Sequence, residues 1–93
     1  MFVYNDSSAL LRILGTRLRA ARISRGDPQK AFAYRIGVSV PTLRDLESGK
    51  PTVSMGAFIN ALNAVGRIND MNGVLGGLES ERKRAKKARP SLP

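Results

Sequence analysis

The chain contains no cysteine, no histidine and no tryptophan. Without cysteine there is no disulfide, no thiolate metal site and no cysteine nucleophile. Without histidine the commonest general base and metal ligand is missing. Carboxylates are scarce too, with 7 Asp and Glu against 16 Lys and Arg. Asp45 and Glu47 stand two residues apart in a helical pattern, so they point to different faces. Few routes to acid–base or nucleophilic chemistry are left, so an enzyme is the least supported class and no metal or cofactor is expected. No apolar run approaches the ~20 residues of a membrane span. The opening MFVYNDSS lacks the basic start and long apolar core of a signal peptide. A soluble, cytoplasmic protein is therefore the expectation.

What is present is positive charge and short apolar patterns. The net charge is +9, and the sequence pI is about 11.2. That balance favours a polyanionic partner, either nucleic acid or an anionic membrane surface. Hydrophobic residues make up 42% of the 93, enough for one small domain with a modest core. A chain of this size buries a smaller share of its surface than a larger one, so self-association would add stability.

The organising stretch is Gln29 to Gly49, QKAFAYRIGVSVPTLRDLESG. It reads as two short helices and a tight turn. Gly37 can end the first helix in a left-handed conformation, and Ser39 can cap the second. Phe32, Ala33 and Ile36, then Val38, Leu43 and Leu46, fall on inward positions. Ala33 must be small if the helices cross closely there. This is the layout of a helix-turn-helix, whose second helix enters the DNA major groove, although an αα-hairpin that merely packs has the same outline.

Around this stretch the spacing predicts three more helices. Asp6, Ser7 and Ser8 are cap candidates for a first helix carrying Leu10, Leu11, Leu14, Leu18 and Ala21 on one face. Gly15 interrupts that pattern, either for a close contact or to separate a leading turn. Asp27-Pro28 restarts the chain, with Asp as cap and Pro at the first helical position. Ser54 caps a fourth helix with Phe58, Ile59, Leu62 and Val65 inward, and Asn69 a short fifth with Met71, Val74 and Leu75 inward. The domain is thus expected over residues 9–77, after an arm at 1–8. Residues 78–93, with ERKRAKKAR, read as a basic and mobile tail. That tail is a solvated end, a non-specific DNA arm or a partner-binding segment.

At seven positions with fixed spacing the chain resembles the Xre/Cro-type helix-turn-helix family of phage repressors and antitoxins. They are Gln29, Ala33, Gly37, Leu43, Leu46, Glu47 and Gly49. The resemblance covers about residues 15–75 and implies an all-α, five-helix lambda-repressor-like domain with the helix-turn-helix at helices 2 and 3. It implies that Arg22 pairs with Glu47 as a structural tie, and that Gln29 contacts phosphate and braces the third helix. Asp27-Pro28 departs from the family pattern, which has an aliphatic residue and then Thr or Ser. The stretch from Thr42 to Leu62 is similar, more narrowly, to HipB-related antitoxins of kinase-toxin modules.

By the same correspondence Val40, Pro41, Arg44 and Asp45 face bases, Ser39 and Thr42 lie near phosphate, and Lys50 meets the backbone. Arg44 is the leading base reader, because its fork matches guanine O6 and N7, with a phosphate contact as the alternative. Asp45 either accepts from cytosine N4 or orients Arg44 or a neighbouring Arg, the second being favoured. Arg17, Arg19, Lys30, Arg35 and Arg67 are further backbone candidates.

The expected function is sequence-specific binding of double-stranded DNA by a transcriptional repressor, as a homodimer on a palindromic operator. Phe58, Leu62, Val65, Met71 and Leu75 are the candidate dimer surface. The alternative is an antitoxin that neutralises a HipA-like kinase toxin by protein binding and autoregulates its operon. An RNA-binding protein would use the basic tail but would not explain the spacing from Gln29 to Gly49. A membrane-surface role fits the tail's charge but lacks an apolar face.

Overall fold

The computed structural model describes residues 3–77, with side chains from Asp6 onward. The order is α1 (Val3–Ser24), α2 (Gln29–Ile36), α3 (Val40–Ser48), α4 (Met55–Ala64) and a 3-10 helix (Ile68–Gly73). No strand occurs among the described residues. The basic tail expected at 78–93, together with Met1 and Phe2, lies outside them.

Helix boundaries follow local chemistry. Gly37 adopts φ +76°, and the Val38 amide then closes back on the Ala33 carbonyl at 3.0 Å. Ser39 starts α3 by accepting the Thr42 amide on its hydroxyl at 3.1 Å. Pro41 sits in the first turn of α3, where a missing N–H costs no helical bond. Ser54 caps α4 in the same way, accepting from the Ala57 amide at 3.0 Å.

Three expectations at element ends are corrected. Asp6, Ser7 and Ser8 do not cap α1, which already begins at Val3; nothing in that segment breaks a helix, and cap-favouring residues are tolerated in an early turn. The chain at 3–8 is therefore helix rather than an arm. Asp27 does not cap α2. Pro28 takes the cap position with φ −65° and ψ 154°, and the Asp27 carboxylate reaches Arg35 instead. Finally, the fifth helix is 3-10, with no side-chain cap: Asn69 accepts from the Asn72 amide group. Beyond it Leu75 turns to φ +57°, which throws Val74 and Leu75 out into solvent, 59% and 78% exposed.

The core joins all four helices. Phe32 and Leu43 are fully enclosed, and Leu18, Ala33, Ile36, Leu46, Ala61 and Val65 pack around them. Burying a Phe or Leu side chain contributes about 1.5–3 kcal/mol. Ala33 is buried where α2 meets its neighbours, as its small size requires. On α4 the inward stripe is Ala57, Ala61 and Val65, not the Phe58, Ile59, Leu62 and Val65 set; Phe58, Ile59 and Leu62 are half-buried at its flanks. Small residues at the centre of that stripe let α4 approach α2 closely.

The closest helix contact is between α1 and α3, and it is made by backbone. A Cβ on Gly15 would stand 2.5 Å from the Glu47 carbonyl oxygen and 2.8 Å from that of Leu46. A Cβ on Gly49, which has φ +80°, would meet the Leu11 carbonyl at 2.6 Å and the Arg12 backbone at 2.7 Å. Gly15 therefore marks a close contact inside one continuous helix. Gly15→Ala is expected to destabilise the domain by about 2 kcal/mol in urea denaturation, because overpacking against immovable backbone outweighs the helix-propensity gain of ~1 kcal/mol. Unchanged or raised stability would contradict the contact.

Candidate nucleic-acid interface

The site rests on one buried ion pair. Arg22 Nε donates to Glu47 Oε2 at 2.6 Å, and its Nη2 donates to Oε1 at 3.1 Å. Its remaining Nη1 donates to the Asp27 carbonyl at 2.8 Å. The two side chains are 6% and 4% exposed. The fork–fork geometry satisfies both carboxylate oxygens, and no buried side-chain N or O among the described residues is left without a partner. One guanidinium thus ties α1 to the end of α3 and to the loop that enters α2.

With α3 fixed from within, its outer side carries Pro41, Arg44 and Ser48, all exposed, with Thr42 and Asp45 half-buried. Arg44 Nε donates to Gln29 Oε1 at 3.4 Å. This long contact brings together the first residue of α2 and the middle of α3. Both Nη groups of Arg44 are without a hydrogen-bond partner among the described residues. The start of α2 has no side-chain cap, so its first amides and the helix dipole suit an anion.

Ser39 and Thr42 form a pair: the Ser39 hydroxyl donates to Thr42 Oγ1 at 3.0 Å while accepting the Thr42 amide. The Thr42 hydroxyl proton remains available to an outside acceptor. Val40 is half-buried and packs on the core, so it offers only part of its surface. Asp45 does not orient Arg44. Its Oδ1 lies 3.4 Å from Lys50 Nζ, because the chain reverses at Gly49 and brings Lys50 back over α3, whereas consecutive helical residues diverge by ~100°.

Charge is distributed by these pairs. Asp27 is taken by Arg35 at 3.1 Å and Asp70 by Arg67 at 2.8 Å, so neither Arg35 nor Arg67 is a spare cation. Arg35 also stands 5.9 Å above the Phe32 ring. Arg17, Arg19, Lys30 and Arg44 have no ion pair among the described residues. The Arg35 hydrogen bond holds the Asp27 carboxyl below its usual 3.8. Two features were not read from the sequence, the Arg35–Asp27 pair and Tyr34. Tyr34 is 88% exposed on the outer side of α2, beside Lys30. Its position outside the inward set Phe32, Ala33 and Ile36 was the available signal.

Two short helices joined by a left-handed glycine turn, the second held from behind and polar in front, define a DNA-binding helix-turn-helix protein. The chain belongs to the helix-turn-helix domain family, whose model spans residues 13–70, most of α1 through the start of the 3-10 helix. No curated protein and no solved structure matches the chain significantly. The domain is that of DNA-binding transcription regulators. No described helix is long and apolar enough to cross a membrane.

Breaking the buried pair should be costly. Glu47→Ala is expected to lose about 3–5 kcal/mol of stability by urea denaturation, since it strands a buried guanidinium. Arg22→Lys should also destabilise, because an ammonium cannot reproduce three donors in one plane. Undiminished stability with Lys would refute the fork geometry. A second expectation concerns acid. A depressed carboxyl contributes stability above its unfolded value, and this is lost as pH falls through the lower folded value. For Asp27 that window lies below the usual 3.8. Arg35→Met should raise its titration midpoint by NMR, and an unmoved midpoint would count against the pairing.

Proposed function

We propose that this protein reads double-stranded DNA in the major groove with α3 and represses transcription from a palindromic operator as a homodimer. The observation that carries the reading is Arg44. It is exposed at mid-helix, steadied through Nε by Gln29, and has its Nη groups free for a guanine edge. Gln29 and the uncapped start of α2 take one phosphate, and the Thr42 hydroxyl and Lys50 take others. Ser39 supports Thr42 rather than reaching DNA itself. Pro41 and the open part of Val40 pack on a thymine methyl or follow groove shape. Asp45 accepts from an exocyclic amino group once phosphate draws Lys50 away.

The dimer surface is assigned to α4 and the segment after it. The helix sequence MGAFINALNA holds no charged residue, so two copies of a chain with net charge +9 meet there with least repulsion. Leu62, Met71 and Leu75 form its centre, and Phe58 lies at its edge. Val65 is withdrawn from the set, because it is buried in the chain's own core. The antitoxin alternative draws support only from the stretch Thr42 to Leu62, and a kinase-toxin gene beside this one would favour it.

Arg44→Ala is expected to lose about 1–3 kcal/mol of discrimination between the selected site and random duplex, with relaxed preference at one half-site position. Equal weakening on both duplexes would make Arg44 a phosphate contact. Leu75→Glu, at a site already exposed to water, should shift the sedimenting species toward monomer and weaken binding to a palindrome more than to a half-site. An unaltered oligomeric state would remove α4 and its neighbour from the interface.

A further inference from the structure

The first turns of α1 lie outside the helix-turn-helix match, which begins at Ile13. At that boundary α1 carries an exposed apolar pair that the core does not use. Leu10 and Ile13 are 52% and 44% exposed, on the side of α1 away from the buried edge of Gly15, Leu18 and Arg22. Asp6 and Arg17 flank them, both exposed and neither in an ion pair among the described residues. The offsets from Asp6 to Leu10, Ile13 and Arg17 are four, three and four, so the four residues form one stripe along the helix.

This stripe is its own complement. Reversed about a midpoint between residues 11 and 12, Leu10 falls opposite Ile13 and Asp6 opposite Arg17. A two-fold axis at that midpoint gives an isologous contact, in which each pairing occurs twice, once from each copy. A shallow, open depression lined by Ala9, Arg12, Ile13, Thr16 and Arg17 lies beside this stripe. We infer that α1 is a docking surface for a second copy of this chain, packed antiparallel with Leu10 against Ile13 and Asp6 against Arg17.

The charge pattern selects this occupant. A parallel pair would set Asp6 against Asp6 and Arg17 against Arg17, which repel. The antiparallel pair satisfies all four charges and fixes the register. The contact is small beside the ~1,600 Å² of a standard interface, so it is weak and appears at high local protein concentration. It lies across α1 from α3 and leaves the Arg44 face free. It does not depend on the DNA-binding reading, and it is separate from the surface at Leu62 and Leu75.

Sedimentation equilibrium of the full chain without DNA, from micromolar to millimolar concentration, tests it. An association step is expected that persists in a Leu75→Glu background. Ile13→Glu should weaken that step about tenfold or more, as the loss of a buried aliphatic contact requires. Asp6→Arg and Arg17→Asp should each weaken it, and the two together should restore it by exchanging the signs of both pairs. Circular dichroism melts of these surface variants should match the parent, which separates docking from folding. No association step at millimolar concentration, a step untouched by Ile13→Glu, or a double swap that fails to restore what the single changes removed would each overturn the proposal.

Discussion

The structure depends on how α3 is held against α1. Two glycines remove the side chains that would separate the helices, and one buried guanidinium then bridges the gap that remains. A buried ion pair gains little net stability over apolar packing, but once present it tolerates no loss of a partner. Its value here is geometric. Arg22 has three engaged donors in one plane, so α1, the end of α3 and the loop before α2 share one fixed point. A helix of nine residues has little packing surface of its own, and a fixed point at its end sets the direction in which its outer face looks.

That arrangement accounts for the division of labour around the interface. The inner side of α3 is committed to Leu43, Leu46 and Glu47, which leaves a narrow outer strip. On it only Arg44 has both exposure and a donor fork. Val40 is shared with the core and Pro41 has no polar side-chain group. On the proposed reading, hydrogen-bonded readout concentrates at that one residue, and shape together with a second subunit supplies the rest of the specificity. Asp45 adds a carboxylate to the strip, paired with Lys50 at 3.4 Å.

Much of this was legible in the sequence because the signals are local. Gly37, Ser39, Gly49 and Ser54 each decide a helix end through their own backbone or hydroxyl, and each stands where the spacing predicts. The Arg22–Glu47 tie was legible only through resemblance, since no local rule links residues that far apart. The start of α1 was not legible, because Asp6, Ser7 and Ser8 are good caps yet also acceptable in an early helical turn. Asp27 was misread for a related reason: capping competes with an ion pair, and Arg35 two turns along α2 wins that competition. The α4 face departs from the spacing of its large apolar residues, because close packing on α2 favours Ala57 and Ala61. Val74 and Leu75 leave the core through the backbone turn at Leu75, a conformation that β- or helix-period reasoning does not anticipate.

The account stands on α3 reading a DNA sequence, and selection of bound duplexes from a random pool measures that directly. It predicts enrichment of a palindromic motif whose half-sites lie about one helical turn apart, with a guanine among the enriched half-site positions. A pool that binds but enriches no motif would contradict it, reducing the protein to a basic chain that holds the backbone without reading bases.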